Sequence, residues 1–124
     1  MADDHPQLLD AAVALLEPHF EIVATAMDGK TLVVEALRLR PDVIVTDITM
    51  PVLSGLDAIR MLREADFTPK TVILTIHAEK EFLSACLGEG ALGYVVKSRM
   101  NAHLVPAIQA ALIGEQYISP FGFT

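Results

Sequence analysis

The sequence predicts an α/β domain: a parallel sheet wrapped by helices on both faces. Two observations carry this. Strand-like and helix-like segments alternate along the chain, which is the pattern of parallel strands joined by helical crossovers. Two of the strand-like segments, Val43 to Asp47 and Thr71 to Ile76, are apolar or β-branched runs without polar alternation. Such runs suit strands buried on both faces. With 124 residues, one domain is the natural expectation.

The elements follow in order. Leu8, Ala12, Leu15 and Leu16 recur at helical spacing, so a helix is expected from about Pro6 to Glu17, with the proline in its first turn. Glu21 to Ala26 is a β-branched strand candidate, and Asp28-Gly29 marks a turn. Lys30 to Arg40 reads as a helix that Pro41 stops. Ser54 can cap a helix from about Gly55 to Ala65. After the strand at 71–76, Ala78 to Gly88 is helical and ends in glycine-rich chain. Tyr94 to Lys97 is a short strand. Asn101 to Gly114 is the last helix, with Pro106 expected in its first turn or two and Leu104, Ile108, Ala111 and Leu112 on its apolar side. One irregularity stands at the start. The strand that should precede the first helix is reduced to Met1-Ala2.

Composition narrows the function. An apolar fraction of 52% is enough for a core and excludes intrinsic disorder. No apolar run is long enough to span a bilayer, and Met1 to Pro6 is not a signal peptide, so no membrane association and a cytoplasmic location are expected. The formal net charge of −7, without any basic cluster, argues against direct nucleic-acid binding by this segment. Cys86 is the single cysteine, so no internal disulfide can form.

Four features should meet at the carboxyl ends of the strands: Asp3-Asp4, Asp47, Thr75 and Lys97. That edge is where ligands collect in open α/β sheets. Carboxylates crowded there repel by about 4 kcal/mol per pair at 4 Å with an effective dielectric near 20. Lys97 supplies one compensating charge and a divalent ion can supply the rest. Oxygen ligands in a site that retains water and meets phosphate favour magnesium. A carboxylate beside a metal and a lysine can act as a nucleophile toward phosphorus, with the lysine and the metal neutralising charge on the transferred group. His5, His19, His77 and His103 share no metal-ligand spacing, so solvated or capping roles are expected for them.

Together these residues resemble the receiver domain of bacterial two-component response regulators, over essentially the whole chain. Asp3-Asp4 resembles the family's acidic pair. Asp47, Met50, Pro51 and Gly55 stand as its D-x-x-M-P-x-x-x-G phosphoacceptor motif, Thr75 as its hydroxyl position, Tyr94 as its aromatic switch and Lys97 as its lysine. Asp4-His5-Pro6, Gly93 to Ser98 and Gly114 to Pro120 look like the NarL/FixJ subfamily, in which a receiver precedes a linker and a DNA-binding helix-turn-helix domain. The resemblance implies a flavodoxin-like sheet of order 2-1-3-4-5 with about five helices. It implies magnesium held by Asp4, Asp47 and the Thr49 backbone carbonyl, with Asp3 acting through water. It also implies a sensor histidine kinase as phosphoryl donor to Asp47, and a response that controls dimerisation or transcription through an output domain. The receiver is expected over 1–120, with 121–124 as the start of a linker or tail and no output domain. Such a domain assists its own phosphorylation and dephosphorylation without being a turnover enzyme. Thr49 and His77, each two residues beyond a motif member, are expected to tune dephosphorylation. The last helix is expected to contribute to a homodimer.

Two departures stand out. Ser98 occupies the position where most receivers have proline, often after a cis bond. The short start leaves the placement of Asp3 and Asp4 open, and with it a second reading as a phosphorylation-independent interaction module. A haloacid-dehalogenase-like hydrolase is a third reading. It would want a second acid two residues after Asp47, where Thr49 stands.

Overall fold

The alternating pattern resolves, in a computed structural model that describes residues 1–119, into one parallel sheet between two helical layers. The helices are α1 (Pro6–Leu16), α2 (Gly29–Leu39), α3 (Gly55–Glu64), α4 (Lys80–Gly88) and α5 (Met100–Leu112). The strands are β1 (Val43–Thr46), β2 (Lys70–Thr75), β3 (Gly93–Val96) and β4 (Tyr117–Ile118), paired in that order, every pair parallel. The two-residue β4 was not anticipated from sequence. Pro120 and the expected linker at 121–124 lie outside the described residues.

Side chains of the buried strands alternate between the two layers, as the pleat requires. Val45, Val72, Leu74 and Val95 pack with Ala12 and Leu16 of α1 and Leu104, Ala107, Ile108 and Ala111 of α5. Ile44 joins Leu32, Val33 and Ala36 of α2 and Ala58 and Leu62 of α3. Ile73, Tyr94 and Val96 pack with Ile59 and Cys86. Both faces are therefore covered, which is why these strands carry no polar alternation. Cys86 is buried there, and burial pushes its thiol up to about 12.

Local chemistry sets the helix boundaries. The Asp28 carboxylate accepts from the Thr31 amide at 2.7 Å, and the Ser54 hydroxyl accepts from the Asp57 amide at 3.1 Å, so each caps its helix start. Arg40 adopts a left-handed conformation after α2, and Pro41 prevents its continuation. Pro106 is the seventh residue of α5, at the end of its second turn.

Leu104, Ile108 and Ala111, on the apolar side of α5, are buried in the core against this chain's own strands, and Leu112 is exposed. One expectation is corrected. Glu21 to Ala26 does not form a strand beyond a single bridge at Ala26. A strand exists only where it has a partner, and the partner here is two residues long.

That partner is Met1-Ala2. Ala2 bridges in parallel to Ala26 on one side and Thr46 on the other. The Ala2 amide donates to the Val45 carbonyl at 2.8 Å, and the Asp47 amide donates to the Ala2 carbonyl at 3.0 Å. On the opposite side the Asp3 amide donates to the Ala26 carbonyl and the Ala26 amide to the Met1 carbonyl. The N-terminal ammonium donates to the Ala24 carbonyl at 3.1 Å, and burial pushes its pKa down from 8.0 to about 6. This stub occupies an interior sheet position, as the order 2-1-3-4-5 requires of a first strand. Its cross-bonding is what fixes the acidic pair that follows it.

Candidate functional site

Each chemical side chain sits where a parallel strand ends. Asp3 follows the stub, Asp47 follows β1, Thr75 is the last residue of β2 and Lys97 follows β3. The loop after Asp47 is held closely to the strand. The Gly55 amide donates to the Ile48 carbonyl at 2.7 Å, and a side chain at Gly55 would collide with the Asp47 carbonyl. Glycine is therefore required at the last position of the motif. Met50 is buried among Ala2, Ala26 and Leu32 and anchors the same loop from below. Val52 sits in this loop with φ at 68°, a strained conformation for a β-branched residue.

Lys97 joins the carboxylates. Its Nζ lies 2.8 Å from Asp3 Oδ2 and 2.8 Å from Asp47 Oδ2. Asp3 is 2% exposed and Asp47 5%, so these pairs are shielded from water. Burial works against the ammonium, but the hydrogen bonds and charges of Asp3 and Asp47 outweigh it and hold its pKa above the ordinary lysine value. The other oxygen of Asp47 accepts from the Ile48 amide at 2.7 Å. The short start thus leaves Asp3 beside the lysine, contrary to the concern that the acidic pair would be displaced.

Asp4 is different. Its Oδ1 is buried and forms no hydrogen bond among the described residues, although the His5 Nδ1 lies 3.1 Å away. The contact has ion-pair distance without hydrogen-bond geometry. A buried carboxylate oxygen left in this condition is costly. Asp3, Asp4, His5 and Asp47 each offer one ligand atom, all within 4.8 Å of one another. A hard divalent cation fits this donor set: the cluster holds three carboxylates and one lysine, and one buried carboxylate oxygen makes no hydrogen bond. Thr49, whose carbonyl the sequence reading assigned to the metal, is an exposed residue on the loop after Asp47.

His5 is the residue that sequence reasoning missed. It was read as solvated or capping, and its side chain makes no cap bond on α1. Its ring remains 68% exposed, yet its Nδ1 is 3.1 Å from both Asp3 Oδ1 and Asp4 Oδ1. The signal was present as three consecutive potential ligands, Asp3-Asp4-His5, at the end of a strand.

Beside this cluster lies a second arrangement. Tyr94 is fully buried, and its hydroxyl donates to the His77 carbonyl at 2.8 Å. Burial, with nearby acidic groups, raises its pKa far above the ordinary phenol value. The Thr75 hydroxyl accepts from the His77 amide at 3.2 Å. Thr75 and Tyr94 thus hold the same short segment from two sides. The His77 ring stacks on Phe82 at 4.0 Å, and its Nδ1 lies 3.7 Å from Glu79. It is half-buried against α4 and not a freely solvated loop residue.

Comparison with known proteins agrees with this geometry. Residues 1–109 match the response regulator receiver domain family. The transcriptional regulatory protein MctR of Rhizobium johnstonii is 35% identical over 121 residues, covering 96% of this chain and 56% of its own length. The nitrate/nitrite response regulator protein NarP of Escherichia coli is 36% identical over 121 residues, with the same two coverages. The chain therefore spans about half the length of these relatives. Among solved structures, a LuxR-family two-component response regulator from Aurantimonas superposes with a TM-score of 0.90 at 35% identity, covering 96% of this chain and 86% of that one. On the family match over residues 1–109 and these similarities in sequence and fold, the chain belongs to the response regulator receiver domain family.

Proposed function

We propose that Asp47 is the phosphoacceptor of a two-component signalling protein, with a sensor histidine kinase as the donor. The observation that carries this is the geometry of one buried carboxylate at a strand end, bonded by Lys97 and adjacent to a second carboxylate with a buried oxygen that makes no hydrogen bond. In the transfer, an Asp47 carboxylate oxygen forms a bond to phosphorus as the bond from phosphorus to the donor nitrogen breaks. The leaving imidazole keeps the electron pair of that bond. Lys97 then shifts part of its hydrogen bonding from carboxylate to phosphoryl oxygen. The Thr75 hydroxyl supplies a further donor once its bond to the His77 amide is released. Asp4, Asp47 and the Thr49 carbonyl would hold magnesium, with Asp3 acting through water, and the ion would supply positive charge against that gathering on the phosphoryl group.

The response follows from the second arrangement. Drawing Thr75 toward the phosphoryl group loosens its hold on the His77 segment, which Tyr94 also binds. The population shifts toward a state with a different surface around β3 and α4. In the full-length protein that surface controls dimerisation and a DNA-binding output domain. The domain assists its own phosphorylation and hydrolysis without turning over an external substrate. Thr49 and His77 flank the approach of attacking water and set the lifetime of the phosphoryl group.

With magnesium and a small phosphodonor, intact mass should show one added phosphoryl group, lost in Asp47→Asn, while light scattering shows a larger species on phosphorylation. Equal labelling of the variant would remove Asp47 from its role, and an unchanged molar mass would remove the dimer.

Asp4→Asn should weaken magnesium binding, read by calorimetric titration, roughly tenfold or more, equivalent to about 1.4 kcal/mol. The fold should persist, because Asp4 makes no hydrogen bond in the core. An unchanged affinity with an intact fold would reject Asp4 as a ligand.

Substituting Thr49→Ala and His77→Ala together should change the half-life of phosphorylated Asp47 by up to roughly a hundredfold, the lower end of what a positioned group contributes in proton transfer. The same half-life as the parent domain would show that neither residue tunes hydrolysis.

A further inference from the structure

The carboxylates at the strand ends are not all engaged in the same way. Asp3 divides its two oxygens. Its Oδ2 bonds Lys97 at 2.8 Å, while its Oδ1 accepts from the His5 backbone amide at 2.9 Å and lies 3.1 Å from the His5 Nδ1. The same ring nitrogen lies 3.1 Å from Asp4 Oδ1. One imidazole nitrogen thus stands against two carboxylates, at oxygens other than those that Lys97 bonds. Among the described residues no other histidine is placed this way. The His77 ring lies 3.7 Å from a single carboxylate, that of Glu79, and the His103 Nδ1 is bonded to the Ser119 hydroxyl.

A ring nitrogen carries one proton at most. With that proton, His5 Nδ1 satisfies Asp3 and leaves the buried Asp4 Oδ1 without a hydrogen bond. Without it, the lone pair of the nitrogen meets those of both carboxylates. The contact is incomplete in either state, and a cation would satisfy all three atoms at once. The spacing suits one. An octahedral ion with bonds of about 2.1–2.2 Å holds neighbouring ligand atoms about 3.0–3.1 Å apart. His5 Nδ1 already stands 3.1 Å from each oxygen. Asp47 brings a further ligand atom within 4.8 Å of the others. The backbone holds the ring in place: the His5 amide bonds Asp3, and the His5 carbonyl accepts from the Leu9 amide in the first turn of α1. The ring itself is 68% exposed, so an ion reaches it from solvent without opening the core.

We propose that His5 Nδ1 is a metal ligand beside the Asp3 and Asp4 carboxylates, and that it gives the cluster a preference for first-row transition-metal divalent cations of the cobalt-to-zinc class. The proposal rests on the reading of the acidic cluster as a divalent-cation site and adds the class of ion that the histidine selects. The chemistry separates two classes. Magnesium takes oxygen ligands and keeps several waters, so an imidazole adds little to its binding. Cobalt, nickel, copper and zinc bind imidazole well, and their affinity for a mixed nitrogen and oxygen site rises along that row up to copper. Removing the ring leaves every oxygen ligand of magnesium in place. It removes the one nitrogen that distinguishes a transition ion. The His5 side chain makes no cap bond on α1, so the helix does not depend on the ring.

The test titrates the parent domain, His5→Phe and His5→Asn calorimetrically with cobalt and, separately, with magnesium, at about pH 7.5, above the ordinary imidazole range. Phenylalanine keeps a ring without a lone pair, and asparagine keeps a residue suited to a helix start. Cobalt affinity should fall by at least roughly tenfold in both variants, while magnesium affinity changes by less than about threefold. A second readout needs no variant. Added zinc should shift the Nδ1 resonance of His5 in long-range nitrogen NMR of the parent and leave His19, His77 and His103 unmoved. Unchanged cobalt affinity in the variants would overturn the proposal. So would an equal loss for both ions, which would give His5 only a structural part in the cluster, or a zinc shift at another histidine with His5 unmoved. In each of these cases magnesium still binds the parent and the cation site stands. A parent that binds neither ion would instead remove the site reading, and this proposal with it.

Discussion

One ammonium group organises the site. Lys97 Nζ is shared between Asp3 Oδ2 and Asp47 Oδ2 at 2.8 Å each, and it thereby ties the ends of three sheet positions together. Without a cation there, two nearly buried carboxylates would face each other at a cost that no packing in the loop offsets. With it, one negative charge is still uncompensated by lysine, and Asp4 adds another. The cluster is built into the fold with an excess of negative charge, which suits a divalent cation. The chemistry proposed for Asp47 follows from that imbalance.

The stub of sheet at the N-terminus is the second constraint. Two residues, bonded on both sides, are enough to place Asp3 against Lys97. They do so through the backbone, with Ala2 the one side chain of the stub buried in the core. Backbone hydrogen bonds set geometry locally, whereas the apolar burial that stabilises the sheet is extensive and needs side chains along its length.

Much of this was legible in the sequence because it depends on local order. The motif from Asp47 to Gly55 is a contiguous run, and its glycine has a single cause, the close approach of the Asp47 carbonyl. The caps at Asp28 and Ser54 are equally local. What was not legible depends on contacts across the fold. Glu21 to Ala26 has strand composition but lacks a partner for most of its length, which composition cannot reveal. Which strands use the apolar side of α5 was not legible either: Val45 of β1, Val72 and Leu74 of β2 and Val95 of β3 all join its cluster. His5 was read alone, and only the turn after the stub brings its ring to both acidic residues. Tyr94 was legible as a residue, but its bond to the His77 carbonyl links positions 17 apart in sequence.

The central claim is that charge crowding around Lys97 creates the demand for a divalent cation. The direct measurement is the rise in Tm caused by saturating magnesium in the parent domain and in Lys97→Met. The account predicts a lower Tm for the variant without magnesium and a larger magnesium-induced rise, because the ion must then offset the carboxylates alone. An equal rise in both proteins, or none in the variant, would contradict it.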